Sequence, residues 1–417
     1  MDNLIVTQNI NLDIQAATFN SGLQLYHITV PSDDVSILAQ VNAGPLHEKG
    51  EEAGISHLME HMLFRGTDMR KDNAELFEEI SLLGNNFSAY TSQTGVVIEF
   101  RTILSDLDQA MDFISDAFFN SKLEKEKLAR EKPVILDEMR RGNDEPDSVL
   151  FDEYFARLYT GTPLGKPIIG FPETVNSFGR IKLLNFYHKI CDPANMTVLT
   201  AGPQKFDDVK EMVFKHFERE PKSFRHNFPI INASNKAREY KIEKDLENVH
   251  FAMGRIVSGY ENQADHYALN IMADVLSTKL FDVLRSKSSL CYSCGASYDP
   301  FVKFGDLTFD ASCKPQDFEK LNSLLFEEID KFREGKNFSE RDVLNKIVSV
   351  KKQVILGTPS TMGKLKLART FLNRGDIYAV NNYLPKFDGI TKDKIIEVAQ
   401  KNIKFDDLTK VIVGKVG

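Results

Sequence analysis

The chain has 417 residues, 42% of them hydrophobic and 27% charged, which allows a large buried interior and, by length, two domains of about 200 residues each. Its net charge of -8, with acidic and basic residues interspersed, argues against nucleic acid as the main ligand, and no apolar run reaches the length of a bilayer crossing. Four cysteines in so long a chain do not make a disulfide framework, and free thiols fit a reducing compartment.

Met1 to Val6 shows no basic segment followed by an apolar core. A cytoplasmic location is therefore expected, with an organelle matrix reached after removal of a presequence as the alternative. Ile14 to Thr18, Leu23 to Val30 and Val35 to Ala43 read as a meander of strands, separated by turns at Asn20-Ser21-Gly22 and Pro31-Ser32-Asp33-Asp34. The meander leads into the stretch from Gly54 to Thr67, which holds His57, Glu60 and His61 in H-x-x-E-H order. On a helix, positions i, i+3 and i+4 share one face, so two imidazoles and a carboxylate project together. That is half of a zinc site with a proton acceptor attached. A catalytic zinc needs a third protein ligand from elsewhere and keeps its fourth position for water. A plain amphipathic helix would also carry histidines, but here Leu58, Met62 and Leu63 fill a different arc, which a core-facing helix does not require.

Asn73 to Leu83 reads as a second helix, ended by Gly84, and Phe87 to Thr102 as extended structure that could hold a peptide beside the first helix. From Asp106 apolar residues recur at helical spacing, with Ser105 as the expected cap. Ser121-Lys122-Leu123-Glu124 reads as a capping box that opens a helix with Glu131 and Glu138 two turns apart on one side. Pro133 inside this helix is expected to kink it or split it. A helix over 179–190, a strand over 197–201 and a helix over 206–220 complete the first domain, 1–220. Residues 221–237 read as a linker, and 238–417 as a related second domain. There, a strand over 249–256, a helix over 264–276, strands over 291–311, helices over 316–334 and 340–356 and a strand over 410–413 repeat the earlier order without paired histidines. The architecture is α+β, two structurally related α/β domains. Cys291 and Cys294 form one C-x-x-C inside a strand-like run, where residues three apart should face opposite sides, so neither metal nor redox work is expected of them.

The motif and its surroundings resemble the pitrilysin/insulinase family of zinc peptidases, the inverted zincins, in its shorter bacterial and mitochondrial-processing-peptidase-like branch. The matching residues are Gly44 and Glu48, Phe64 to Thr67, Leu83-Gly84, Ala89-Tyr90-Thr91, Pro163-Leu164-Gly165, Gly170 and Asp192 to Met196. In that family a third zinc ligand lies on a separate helix, roughly 70 to 80 residues past the second histidine. The resemblance so implies one zinc per chain held by His57, His61 and Glu138, which stands 77 residues after His61. It implies Glu60 as general base, and Glu131, seven residues before Glu138, as an accessory catalytic carboxylate that orients a ligand. Arg285 and Tyr292, seven apart, match the family's contacts to substrate carbonyls, and Ser88 and Ala89 lie where substrate would dock. Four positions depart from the family: Ser88 stands for the usual Asn, Thr162 for a basic residue, Leu276 to Leu280 lacks a Gly-rich loop, and Pro133 is unusual in its helix.

The implied activity is zinc-dependent endopeptidase action on peptides or unfolded segments inside a chamber, with strand addition at residues 87–91. A non-catalytic peptide-binding or structural subunit of the same architecture is the alternative. The implied partners are peptides and a second copy in a homodimer with a composite site, with no nucleic acid and no membrane.

Overall fold

The computed structural model describes residue 6, residues 8–222, residue 231 and residues 234–415. Six strands, β1 (Asp13–Thr18), β2 (Gln24–Thr29), β3 (Asp34–Val41), β4 (Phe87–Ser92), β5 (Gly95–Ile103) and β6 (Met196–Gly202), form a sheet in the order β1-β2-β6-β3-β5-β4. A second sheet runs β7-β11-β8-β10-β9, from β7 (Arg238–Ile242), β8 (Val249–Ser258), β9 (Ser293–Pro300), β10 (Phe304–Cys313) and β11 (Thr409–Val413). Each sheet has one parallel pair, β2 with β6 and β7 with β11, and every other pairing is antiparallel. Laid over each other, β2 to β6 and β7 to β11 agree in chain order, spatial order and direction. The chain is thus α+β with two related halves, and β1 is an addition to the first.

In the first half the helices are α1 (Ile55–Leu63), α2 (Asn73–Leu82), α3 (Leu107–Phe119), α4 (Lys125–Asp144), α5 (Pro146–Leu158), α6 (Pro172–Ser177), α7 (Arg180–Ile190) and α8 (Phe206–Phe217). The second half adds α9 (Gln263–Leu280), α10 (Phe318–Arg333), α11 (Glu340–Gly357), α12 (Thr361–Asn373) and α13 (Lys392–Asn402). Alternate residues of the central strands serve different cores. Ile37, Ile98, Phe100 and Val198 pack with Leu58 of α1 and with Phe113 and Ile114 of α3. Their neighbours Leu38, Val97 and Leu199 belong to a core shared with Leu365, Ala368 and Phe371 of α12. The exchange is mutual, since Val149, Leu150 and Tyr154 of α5 pack on Ala252, Val411 and Val413 of the second sheet. Each half thus lends a helix to cover the other's sheet. That burial on both faces is why β3 and β6 read as near-continuous apolar runs.

Several local expectations are corrected. Pro133 does not split α4, because it lies on the exposed side, where water can satisfy the freed carbonyl while Leu128, Glu131, Ile135 and Met139 fix the buried side. Ser121 caps nothing; its hydroxyl donates to the carbonyls of Leu63 and Ala117, and α4 starts at Lys125 after Leu123 turns through φ +46°. Ser105 bonds the Asp106 carboxylate inside a single 3-10 turn, and α3 begins at Leu107. Between α9 and β9 the chain does not break where a Gly-rich loop was missing. It widens into π-helical turns over Phe281–Lys287. Most of the expected linker, 223–230 and 232–233, lies outside the described residues. Among the described residues no helix is long and apolar enough to cross a membrane.

Candidate metal centre

The motif helix starts abruptly. Gly54 sits at φ +90°, and a Cβ there would meet the Ile169 carbonyl at 2.5 Å, so only glycine allows the loop ending at Gly170 to close on the helix start. Glu48, buried, accepts bonds of 2.9 Å from the backbone N–H groups of both Gly54 and Ser56, which satisfies donors at the head of α1. Ile55, Leu58, Met59, Met62 and Leu63 are buried, and that leaves His57, Glu60 and His61 on the arc turned toward α4 and β4.

Glu138 comes from α4 to meet them. Its two oxygens lie 3.9 Å from His57 Nε2 and 3.7 Å from His61 Nε2, and one donor atom from each of the three residues falls within 4.8 Å of the others. Ligand atoms bound tetrahedrally at zinc distances stand about 3.3 Å apart, so a small inward movement would complete the set. The donor types, two imidazoles and one carboxylate, suit zinc. Among the described residues no other such group of three occurs.

Behind His61 the support is polar. Its Nδ1 lies 2.8 Å from Glu131, and Arg65 grips the same carboxylate through Nε at 2.6 Å and Nη2 at 2.8 Å. This fixes the ring with Nε2 forward. Burial works against a charged His61, but the bond to Glu131 and the charges of Glu60 and Glu138 outweigh it and raise its pKa. For Glu131, burial is likewise outweighed by His61 and Arg65, which hold its pKa below the usual carboxylate value. Glu131, grouped with Glu60 from sequence, is 3% exposed and absent from the cleft lining; it acts on the site through His61. His57 differs: its Nδ1 is buried and, among the described residues, has no hydrogen-bond partner, and burial, then the nearby His61, push its pKa down to about 4.

The three donors open into a cleft of about 610 Å³ lined entirely by the first half. Glu60 stands in it, its pKa raised by burial, with Ala89 and Thr91 of β4 beside it. Ser88 is exposed and does not line the cleft. Neither do Arg285 and Tyr292. Arg285 stacks over the rings of Phe281 and Tyr292 at 4.9 and 5.3 Å, and Tyr292 is 78% exposed just before β9, the strand equivalent to β4. Asp152, Phe155 and Lys166 also line the cleft and were not singled out in the sequence; they come from α5 and the 163–169 loop, whose approach no local pattern announces. Arg65 could have been found, since it lies four residues after His61. One premise about Cys291 and Cys294 is corrected: β9 starts only at Ser293, so the two do not share a strand.

A repeated α/β fold with an H-x-x-E-H helix facing a glutamate from a separate helix defines the class of two-domain zinc peptidases. The chain belongs to peptidase family M16. Residues 25–171 match the family described as Insulinase (Peptidase family M16), and residues 177–347 match the Peptidase M16 inactive domain. An uncharacterized zinc protease of Rickettsia felis is 30% identical over 409 residues, covering 96% of this chain and 93% of that protein. A probable mitochondrial-processing peptidase subunit beta of Arabidopsis thaliana is 32% identical over 242 residues, covering 57% of this chain and 45% of that one. The crystal structure of a protease from Helicobacter pylori shares the fold with a TM-score of 0.90 at 20% identity, covering 97% of this chain and all of that one.

Proposed function

We propose that this chain is a zinc-dependent endopeptidase that cuts peptides or unfolded segments, with one zinc per chain held by His57, His61 and Glu138. The observation that carries this reading is the meeting of those three donors in a cleft that also holds Glu60. A zinc ion there would acidify water and polarise a scissile carbonyl. Glu60 takes the proton of the attacking water and returns it to the leaving amine, a double role that its raised pKa favours. Glu131 and Arg65 keep the His61 ring aimed forward. Among the described residues β4 ends its sheet with one edge unpaired, so a peptide can add as a further strand past Ala89 and reach the cleft in extended form. Backbone pairing of that kind gives loose sequence preference.

Cleavage of a fluorogenic peptide library, abolished by chelator and restored by zinc, is the expected result. Binding of the same peptides without cleavage would support instead a non-catalytic peptide-binding subunit.

The placement of Arg285 and Tyr292 supports a homodimer in which the second half of one copy faces the metal half of the other. Mixing Arg285→Ala with Glu60→Gln then rebuilds one intact site in each mixed dimer. At equal amounts, about a quarter of wild-type activity should return. No recovery despite subunit exchange would assign both residues to their own chain's site.

A further inference from the structure

A general base needs a fixed direction as well as a suitable pKa, and a glutamate has three free side-chain torsions. Glu60 has no Lys or Arg partner in the described structure. What it has is Thr91. The Thr91 hydroxyl donates to Glu60 Oε2 at 2.9 Å. We propose that Thr91 is the positioning residue of the base, so that the strand offered to a peptide also sets where Glu60 points. This rests on the metallopeptidase reading and adds to it a residue that neither touches the metal donors nor moves a proton.

Three features make β4 fit for this work. Thr is β-branched, so its χ1 is narrowly held in a strand and the hydroxyl direction follows the backbone. The backbone itself is fastened from the other face: the Tyr90 hydroxyl donates to Glu99 at 2.8 Å and accepts from Arg369 of α12 at 3.2 Å. Finally, β4 pairs on one side with β5, Thr91 opposite Val96, and among the described residues no strand pairs with its other edge. A peptide seated there lies beside a base already aimed at it.

The test compares Thr91→Val, which removes the hydroxyl at nearly constant shape, with Thr91→Ser, which keeps it. A hydrogen bond to a charged group is worth roughly 10- to 100-fold. Thr91→Val should lower kcat by about that factor with KM and zinc content as in wild type, and Thr91→Ser should recover most of the loss. Unchanged kcat, a rise in KM alone, or a serine variant as poor as valine would overturn the proposal. A readout without turnover stands beside it: in crystals of Thr91→Val the Glu60 carboxylate should swing away from β4, and a carboxylate still in its wild-type place would also overturn it. If wild type cut no peptide, the metallopeptidase reading would fall, while the Glu60 conformation in the valine variant would still decide the role of Thr91.

Discussion

Glu60→Gln is expected to keep its zinc and lose its turnover, with kcat lower by about 10²- to 10⁴-fold, the usual contribution of a positioned acid–base group. The amide fills the same space, and its oxygen can still accept the Thr91 hydroxyl now 2.9 Å away, so the side chain should keep its place. It cannot accept a proton at neutral pH. The substitution also removes the Glu60 charge that helps to raise the pKa of His61, but the bond to Glu131 remains, so the ring keeps its orientation. Metal content by atomic absorption should therefore equal that of wild type. Peptide affinity should hold too, since docking uses the edge of β4, and this variant could be used to trap peptides on the enzyme. Turnover that persists at full zinc loading would remove Glu60 from the role of base and leave Asp152, the other carboxylate in the cleft beside Glu138, as the next candidate.

What could be read in the sequence was whatever is local. The 3.6-residue period places His57, Glu60 and His61 on one face without any tertiary knowledge, and the strands from Asp13 to Val41 follow from turn residues and apolar runs. Glu138 is different. Nothing in its own surroundings marks it among the many charged residues of α4, and it could be named only through a family resemblance. Structure missed in the sequence falls where partners are distant. β7, Arg238–Ile242, is largely polar and becomes a strand only by pairing with β11, about 170 residues on. α12 shows an ordinary amphipathic pattern that cannot say its apolar face belongs on the first half's sheet. Ser121 carries a cap signature, yet two nearer carbonyls claim its hydroxyl. Thr91 was quoted only as part of a motif, since its value depends on how close β4 passes to α1.

Glu138→Ala should cost the metal. His57 and His61 alone supply two ligands where a catalytic zinc site uses three, and loss of groups one step removed from a metal already weakens binding by about 10- to 100-fold. A direct ligand must cost more, so zinc affinity measured by competition with a chromophoric chelator should fall by more than about 100-fold, whereas Glu131→Gln should fall within the 10- to 100-fold range. The contrast between the two variants separates a ligand from its support. Folding is not at stake for Glu138, whose side chain is 49% exposed and, among the described residues, forms ion pairs with the two histidines. Metal-free wild type and metal-free Glu138→Ala should therefore melt alike, and only wild type should gain stability when zinc is added, because an ion that binds the folded state alone shifts the equilibrium in proportion to its affinity. Glu131 is the reverse case: at 3% exposure it pairs with Arg65, and its replacement should lower the melting temperature even without metal. Equal zinc affinity in Glu138→Ala and wild type would mean that the carboxylate lying within 4 Å of both rings is a neighbour and no ligand.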